Sequence, residues 1–333
     1  MKKNTRNSTI ELSRIFLMLG ICLLHCITQG GHVCRGLDNL LLSCVTGFVF
    51  ISGYFGLSFK ISKIIRLITM AFSSVVVLAI VKVIFVGGQE FDIYRLVIVP
   101  IVDGYWFLWA YVVMMCFAPL VDVVVDNCGN NSLKKLLPLF FCAFGWSYLS
   151  FIPYIKDFIP KPNGFGALTF LSLVGVYAFA RVHKVIHFDS YLRRGMKIFI
   201  LFICAAFMFV GFGHYCSPFS VIFVMIVFSY INKLRIAKWC EKIVVLISPS
   251  VFAIYLLHAN GFGYTIIRRL EDSLVASGVC IYGTYFLVSL VIFAGSLILD
   301  LPRRIVIHCI KDKLNLILGY IDKQYDKLFS IIK

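Results

Sequence analysis

Ten stretches of apolar residues, each about as long as the hydrocarbon core of a bilayer is thick, follow one another along this chain with only short charged or Gly/Pro-containing breaks between them. They fall at 10–28, 39–58, 66–87, 105–125, 134–152, 165–183, 196–213, 216–231, 243–260 and 279–301. Roughly 20 apolar residues cross a bilayer, and backbone polar groups in lipid must be satisfied within the spanning element, which favours helices. The expected fold is therefore all-α, a polytopic membrane protein of about ten transmembrane helices. Composition agrees: 60% of the 333 residues are hydrophobic and 14% charged, against about 45–50% and about 25% in soluble domains. A water-soluble globule is excluded. The start, Met1-Lys2-Lys3 before an apolar stretch, mimics a signal peptide, but no small-residue cleavage site follows, so the run is expected to be the first span.

The charge is lopsided. Of the 32 Lys and Arg, 25 fall at the chain ends, in every second loop or at the run ends that border those loops, six on the alternate side (Arg35, Arg95, Lys156, Lys161, Arg268, Arg269) and one, Lys82, deep inside a run. Basic loops stay cytoplasmic, so both termini are expected in the cytoplasm. The net charge of +16 then reads as a topology signal and a match to anionic lipid, with no nucleic-acid partner required. After the last run, Ile310, Leu314, Ile317, Ile321, Tyr325, Leu328 and Ile332 recur at spacings of three and four between Lys and Asp. That pattern predicts an amphipathic helix on the cytoplasmic leaflet, and divides the chain into a membrane domain (1–304) and a tail (305–333). The twelve cysteines are scattered through apolar runs without metal-site spacing, and read as small core residues. No metal is expected, and the phosphate-loop, nucleophile-elbow and zinc-protease motifs have no counterpart.

Ionisable residues within spans are costly and call for a functional reading. Arg14 and His25 lie eleven residues apart on the first run, about 20° past three full helical turns and about 16 Å along the axis. They share one face at two depths. An imidazole that is neutral in apolar surroundings can take a proton from a hydroxyl; equally, it can simply hydrogen-bond between helices. His258 closes Tyr255-Leu256-Leu257-His258 near the outer end of the ninth run, where it could hydrogen-bond an acceptor or simply sit in the interface. Ser52, in Phe50-Ile51-Ser52-Gly53-Tyr54-Phe55, can bond across a helix contact where Gly53 permits close approach. Lys60, Lys63 and Arg66 could hold the phosphates of a nucleotide or anchor to lipid headgroups. Trp106, within Tyr105-Trp106-Phe107-Leu108-Trp109, belongs to an interfacial aromatic belt or to a platform for a sugar ring. Asp300, close to Pro302 and Arg303, reads as a local ion pair or cap.

These landmarks, in this order, resemble the acyltransferase family 3 membrane enzymes. Arg14 with ten residues before His25 matches the first-helix signature, Ser52-Gly53-Tyr54 the second-helix motif, Trp106-Phe107-Leu108 a later segment, and Tyr255-Leu256-Leu257-His258 the late Tyr-Leu-x-His. The similarity runs from residue 9 to about 304. Two segments depart from the family pattern: its Arg-x-x-Arg is here Lys63-Ile64-Ile65-Arg66, and its Glu-Lys-Pro is Asp300-Leu301-Pro302-Arg303. The resemblance implies an acyl-CoA-dependent O-acetyltransferase of the bacterial inner membrane, moving acetyl from acetyl-CoA to a hydroxyl of a capsule, exopolysaccharide, O-antigen or other envelope glycan. On that expectation His25 and Arg14 are catalytic, with His25 acting as general base or as transient acyl carrier. Ser52, His258 and Trp106 support them, and Arg14, Lys60, Lys63 and Arg66 bind the donor. A transporter or flippase of a lipid-linked saccharide would use the same polar stripe as a passage.

Overall fold

The computed structural model describes residues 7–29, 36–86, 104–136 and 167–330, together with Ile98, Ile101 and Phe140. Every regular element among them is helical. The first helix, α1 (Ser8–Gln29), starts where the Asn7 carboxamide accepts the Thr9 backbone N–H at 3.1 Å, which satisfies one of the donors a helix start leaves open. A short helix, α2 (Leu37–Leu41), leads into α3 (Ser43–Phe55), followed by α4 (Ile61–Val86) and α5 (Trp106–Asn127). After residue 166 come α6 (Ala167–Ile186), α7 (Arg194–Phe207), α8 (Pro218–Ile231), α9 (Lys238–Ile247), α10 (Val251–His258), α11 (Gly261–Ala276), α12 (Ile281–Leu299) and α13 (Leu301–Ser330).

Seven helical stretches among the described residues are long and apolar enough to cross a membrane. The expected runs at 165–183 and 216–231 appear as α6 and the 14-residue α8, and most of the run at 134–152 lies outside the described residues. The run at 243–260 is not one helix. Ser248-Pro249-Ser250 forms a 3-10 turn between α9 and α10, because proline cannot donate the helical hydrogen bond and crowds the preceding turn.

Glycine sets the closest helix approaches, and these fix the centre of the bundle. A Cβ on Gly53 would stand 2.5 Å from the Tyr177 carbonyl oxygen and 2.8 Å from the Ala180 Cβ, so α3 and α6 touch through backbone. Gly47 and Gly20 play the same part between α1 and α3, facing Leu17 and Cys44. Around α1 are also packed α9, α10, α11 and α12, and its Cys22, Cys26 and Ile27 are wholly buried. Gly53, in the predicted motif, is thus a packing residue.

The end of the bundle that carries α1's start and α3's finish also carries most of the cations, and acidic partners hold several of them. Arg181 meets Asp122 at 2.7 Å, and Arg303 grips Asp300 through two hydrogen bonds of 2.5 and 2.7 Å, the ion pair expected there. Lys197 is buried, with its ammonium 2.7 Å from Asp189 and 5.7 Å from the Tyr230 ring, and His183 Nε2 lies 3.6 Å from the same carboxylate. Burial alone would raise the Asp189 carboxyl, but the hydrogen bond and charge of Lys197 hold it below its ordinary value.

Candidate active site

Two imidazoles from helices far apart in sequence meet at the opposite end. His25, in the next-to-last turn of α1, places Nδ1 3.0 Å from Nε2 of His258, the last residue of α10, with ring centroids 5.0 Å apart. The local fold of α10 prepares this contact. His258 Nδ1 lies 2.5 Å from the Ile254 carbonyl oxygen, one helical turn back. A carbonyl only accepts, so His258 carries its proton on Nδ1 and its Nε2 is an acceptor. His25 must then donate from Nδ1, which leaves the lone pair of His25 Nε2 free. The tautomers follow from the hydrogen-bond network.

The two histidines differ in exposure. His258 is 1% exposed, whereas His25 is partly buried and lines a cavity of about 410 Å³. His258 therefore sits behind His25 and holds it by a hydrogen bond. The cavity wall is aromatic: Trp106, Phe107, Tyr215, Phe252, Tyr255 and Tyr264 all contribute. Trp106 packs against Tyr215 at 5.4 Å between centroids, and Tyr264 meets the His25 ring edge-on at 5.6 Å. Trp106 thus forms part of the cavity wall.

Asn260 ties the site together, and sequence reasoning missed it. Its carboxamide oxygen accepts the Gly263 N–H at 3.0 Å, which caps α11, while its NH₂ donates to the Leu256 and Leu257 carbonyls at 3.2 and 3.1 Å. Tyr105 Oη donates to the same Leu256 carbonyl at 2.7 Å. The last turn of α10, which ends in His258, is fixed from both sides. Gly263 packs against the His258 backbone so closely that no Cβ would fit. An Asn followed by a Gly-x-Gly helix start was the available signal.

Behind α1, on α11, Glu271 is 1% exposed and neither of its carboxylate oxygens has a hydrogen-bond partner. It acts electrostatically on Cys26, the residue after His25. Burial, with the adjacent Asp272, pushes its carboxyl up to about 7 against the pull of Arg268.

The remaining nominated residues lie elsewhere. Arg14 bonds Glu11 at 2.6 Å, one turn back on α1, and is absent from the cavity lining. Ser52 donates to the Phe48 carbonyl at 2.9 Å and stands 3.4 Å from Tyr111 Oη; Arg14 acts electrostatically on that tyrosine. These three form a polar group nearer the basic end. Lys63 bonds Ser58 and Arg66 bonds Asn315 of α13, and Lys60, Lys63 and Arg66 all interact through charge with Asp322 of that helix. Among the described residues no cluster of His, Cys, Asp and Glu could hold a metal.

A family model described as an acyltransferase domain matches residues 7–299, nearly the whole membrane-embedded part. The chain belongs to acyltransferase family 3. No curated protein and no solved structure matches it. As a member of this family with several apolar, bilayer-length helices, it is a multi-pass membrane acyltransferase.

Proposed function

We propose that the protein moves an acetyl group from acetyl-CoA to a hydroxyl of a cell-envelope glycan, with both termini in the cytoplasm of a bacterial cell and the aromatic cavity toward the opposite side of the inner membrane. The observation that carries this reading is His25: one ring nitrogen tied to a buried partner, the other free beside an aromatic cavity. An aromatic wall with few convergent polar groups suits a sugar ring. The excess of Lys and Arg at the other end suits the donor's phosphates.

In the reaction, His25 Nε2 takes the proton of the acceptor hydroxyl as its oxygen attacks the thioester carbonyl. The carbon–sulfur bond breaks, and the CoA thiolate takes that proton back from His25. The products are the acetyl ester and free CoA, with no net proton change. His258 keeps His25 in the productive tautomer, and its Nε2 lone pair accepts a stronger hydrogen bond from His25 Nδ1–H as the imidazolium forms. Arg14, with Tyr111 and Ser52, guides the donor between the basic end and the cavity.

Mass spectrometry of surface glycans from cells with and without the gene tests this reading. Loss of an acetyl increment on deletion, restored by wild type but not by His25→Ala, is the expected result. Unchanged acetylation would overturn it, and movement of a lipid-linked saccharide without consumption of acetyl-CoA would favour a transporter.

A further inference from the structure

The tail does more than follow the membrane surface. Four residues of α13 at spacings of three and four, Asn315, Leu318, Asp322 and Tyr325, share one helix face, and that face lies on the start of α4. Leu318 is 3% exposed, Asn315 Oδ1 accepts from Arg66 at 2.8 Å, and the Tyr325 ring stands 5.7 Å from that of Phe59. At the centre, both carboxylate oxygens of Asp322 are held by one residue. Oδ1 accepts the Ser62 backbone N–H at 3.0 Å, and Oδ2 accepts the Ser62 hydroxyl at 2.6 Å. Lys60 and Arg66 act electrostatically on the same carboxylate.

A helix-start N–H, a serine hydroxyl and flanking cations receive a phosphate by the same chemistry as they receive a carboxylate. Lys60, Lys63 and Arg66 are the cations assigned above to the phosphates of acetyl-CoA. We propose that Ser62 is a further donor-binding residue and that α13 is a latch, its Asp322 holding the position that a CoA phosphate takes, so that tail and donor compete for the head of α4. This rests on the assignment of the donor phosphates to that cluster. A CoA phosphate carries more charge than the carboxylate, so the donor displaces the latch, and an empty site draws it closed.

Acetyl-CoA binding to the purified full-length protein, measured by calorimetry, tests the competition, alongside limited trypsin cleavage after Lys323 and Lys327. Asp322→Asn keeps the shape and removes the charge. It should bind acetyl-CoA about three- to tenfold more tightly and lose the tail's protection from trypsin, and acetyl-CoA should speed cleavage of the wild-type tail. Lys63→Ala, whose ammonium hydrogen-bonds Ser58 and meets Asp322 only through charge, should bind acetyl-CoA more weakly. If Lys63→Ala binds less well while Asp322→Asn binds as wild type and acetyl-CoA leaves tail cleavage unchanged, the donor cluster stands and the latch is overturned. If Lys63→Ala binds acetyl-CoA as wild type, the donor cluster fails and the latch fails with it.

Discussion

His258 reaches His25 from 233 residues away in the chain, and its own hydrogen bond to the Ile254 carbonyl decides which nitrogen of His25 is free. The pair is an oriented unit: a carbonyl, a sealed imidazole and an imidazole open to the cavity.

Loss of the inner ring should therefore act through the outer one. His25→Ala should cost about 10²–10⁴ in kcat, the range for a positioned base. His258→Phe, which keeps the ring and removes both nitrogens, should cost part of that and leave the acceptor KM unchanged. The double variant should be no slower than His25→Ala; steady-state kinetics on all three variants checks this, and additive losses would separate the two residues.

Glu271 should make stability fall as pH rises. Its folded carboxyl titrates at about 7, above the ordinary value of about 4.3. The folded state thus holds a proton that the unfolded chain releases first. That stabilisation is complete below about pH 4 and is lost as pH rises through about 7. Glu271→Gln should melt with wild type at low pH and above it at pH 8, as followed by thermal unfolding in detergent; parallel curves for the two proteins would refute the assignment.

The buried Lys197 should be costly to remove alone. Lys197→Met leaves Asp189 without its main partner and should lower stability by about 3–5 kcal/mol, whereas Lys197→Met with Asp189→Asn should recover much of that. Because Asp189 is held below its ordinary range, the wild-type contribution should be present above about pH 4 and fade in more acid solution. Chemical denaturation of both variants at neutral pH reads the difference.

Gly53→Ala should separate α3 from α6. With the Tyr177 carbonyl 2.5 Å from the new methyl, backbone must shift, at about 1–3 kcal/mol. A melting temperature equal to wild type would show that the helices part without cost.

The helical class and most of the spanning segments are legible in the apolar runs, because burial in lipid imposes a length that a sequence displays directly. The shared face of Arg14 and His25 is legible too, as helix geometry acts within one segment. The meeting of His25 with His258 is not, since no local pattern tells which helix ends approach. Glu271, beside Arg268, Arg269 and Asp272, reads as part of a solvated face until α11 is seen to turn it inward. Lys197 counts as one more basic loop residue, yet folds inward onto Asp189. In the tail, the periodicity of Leu314, Ile321 and Tyr325 announces a helix, while the seating of Leu318 and Asp322 on α4 depends on contacts across the fold.

Because α1 runs unbroken from Ser8 to Gln29, Arg14 and His25 are fixed to a single rod and neither can approach the other. The rod works as a ruler: anything that touches both side chains must reach across about 16 Å. The spacing of the two positions is thus set by one helix, and survives any movement of the rest of the bundle that leaves that helix intact.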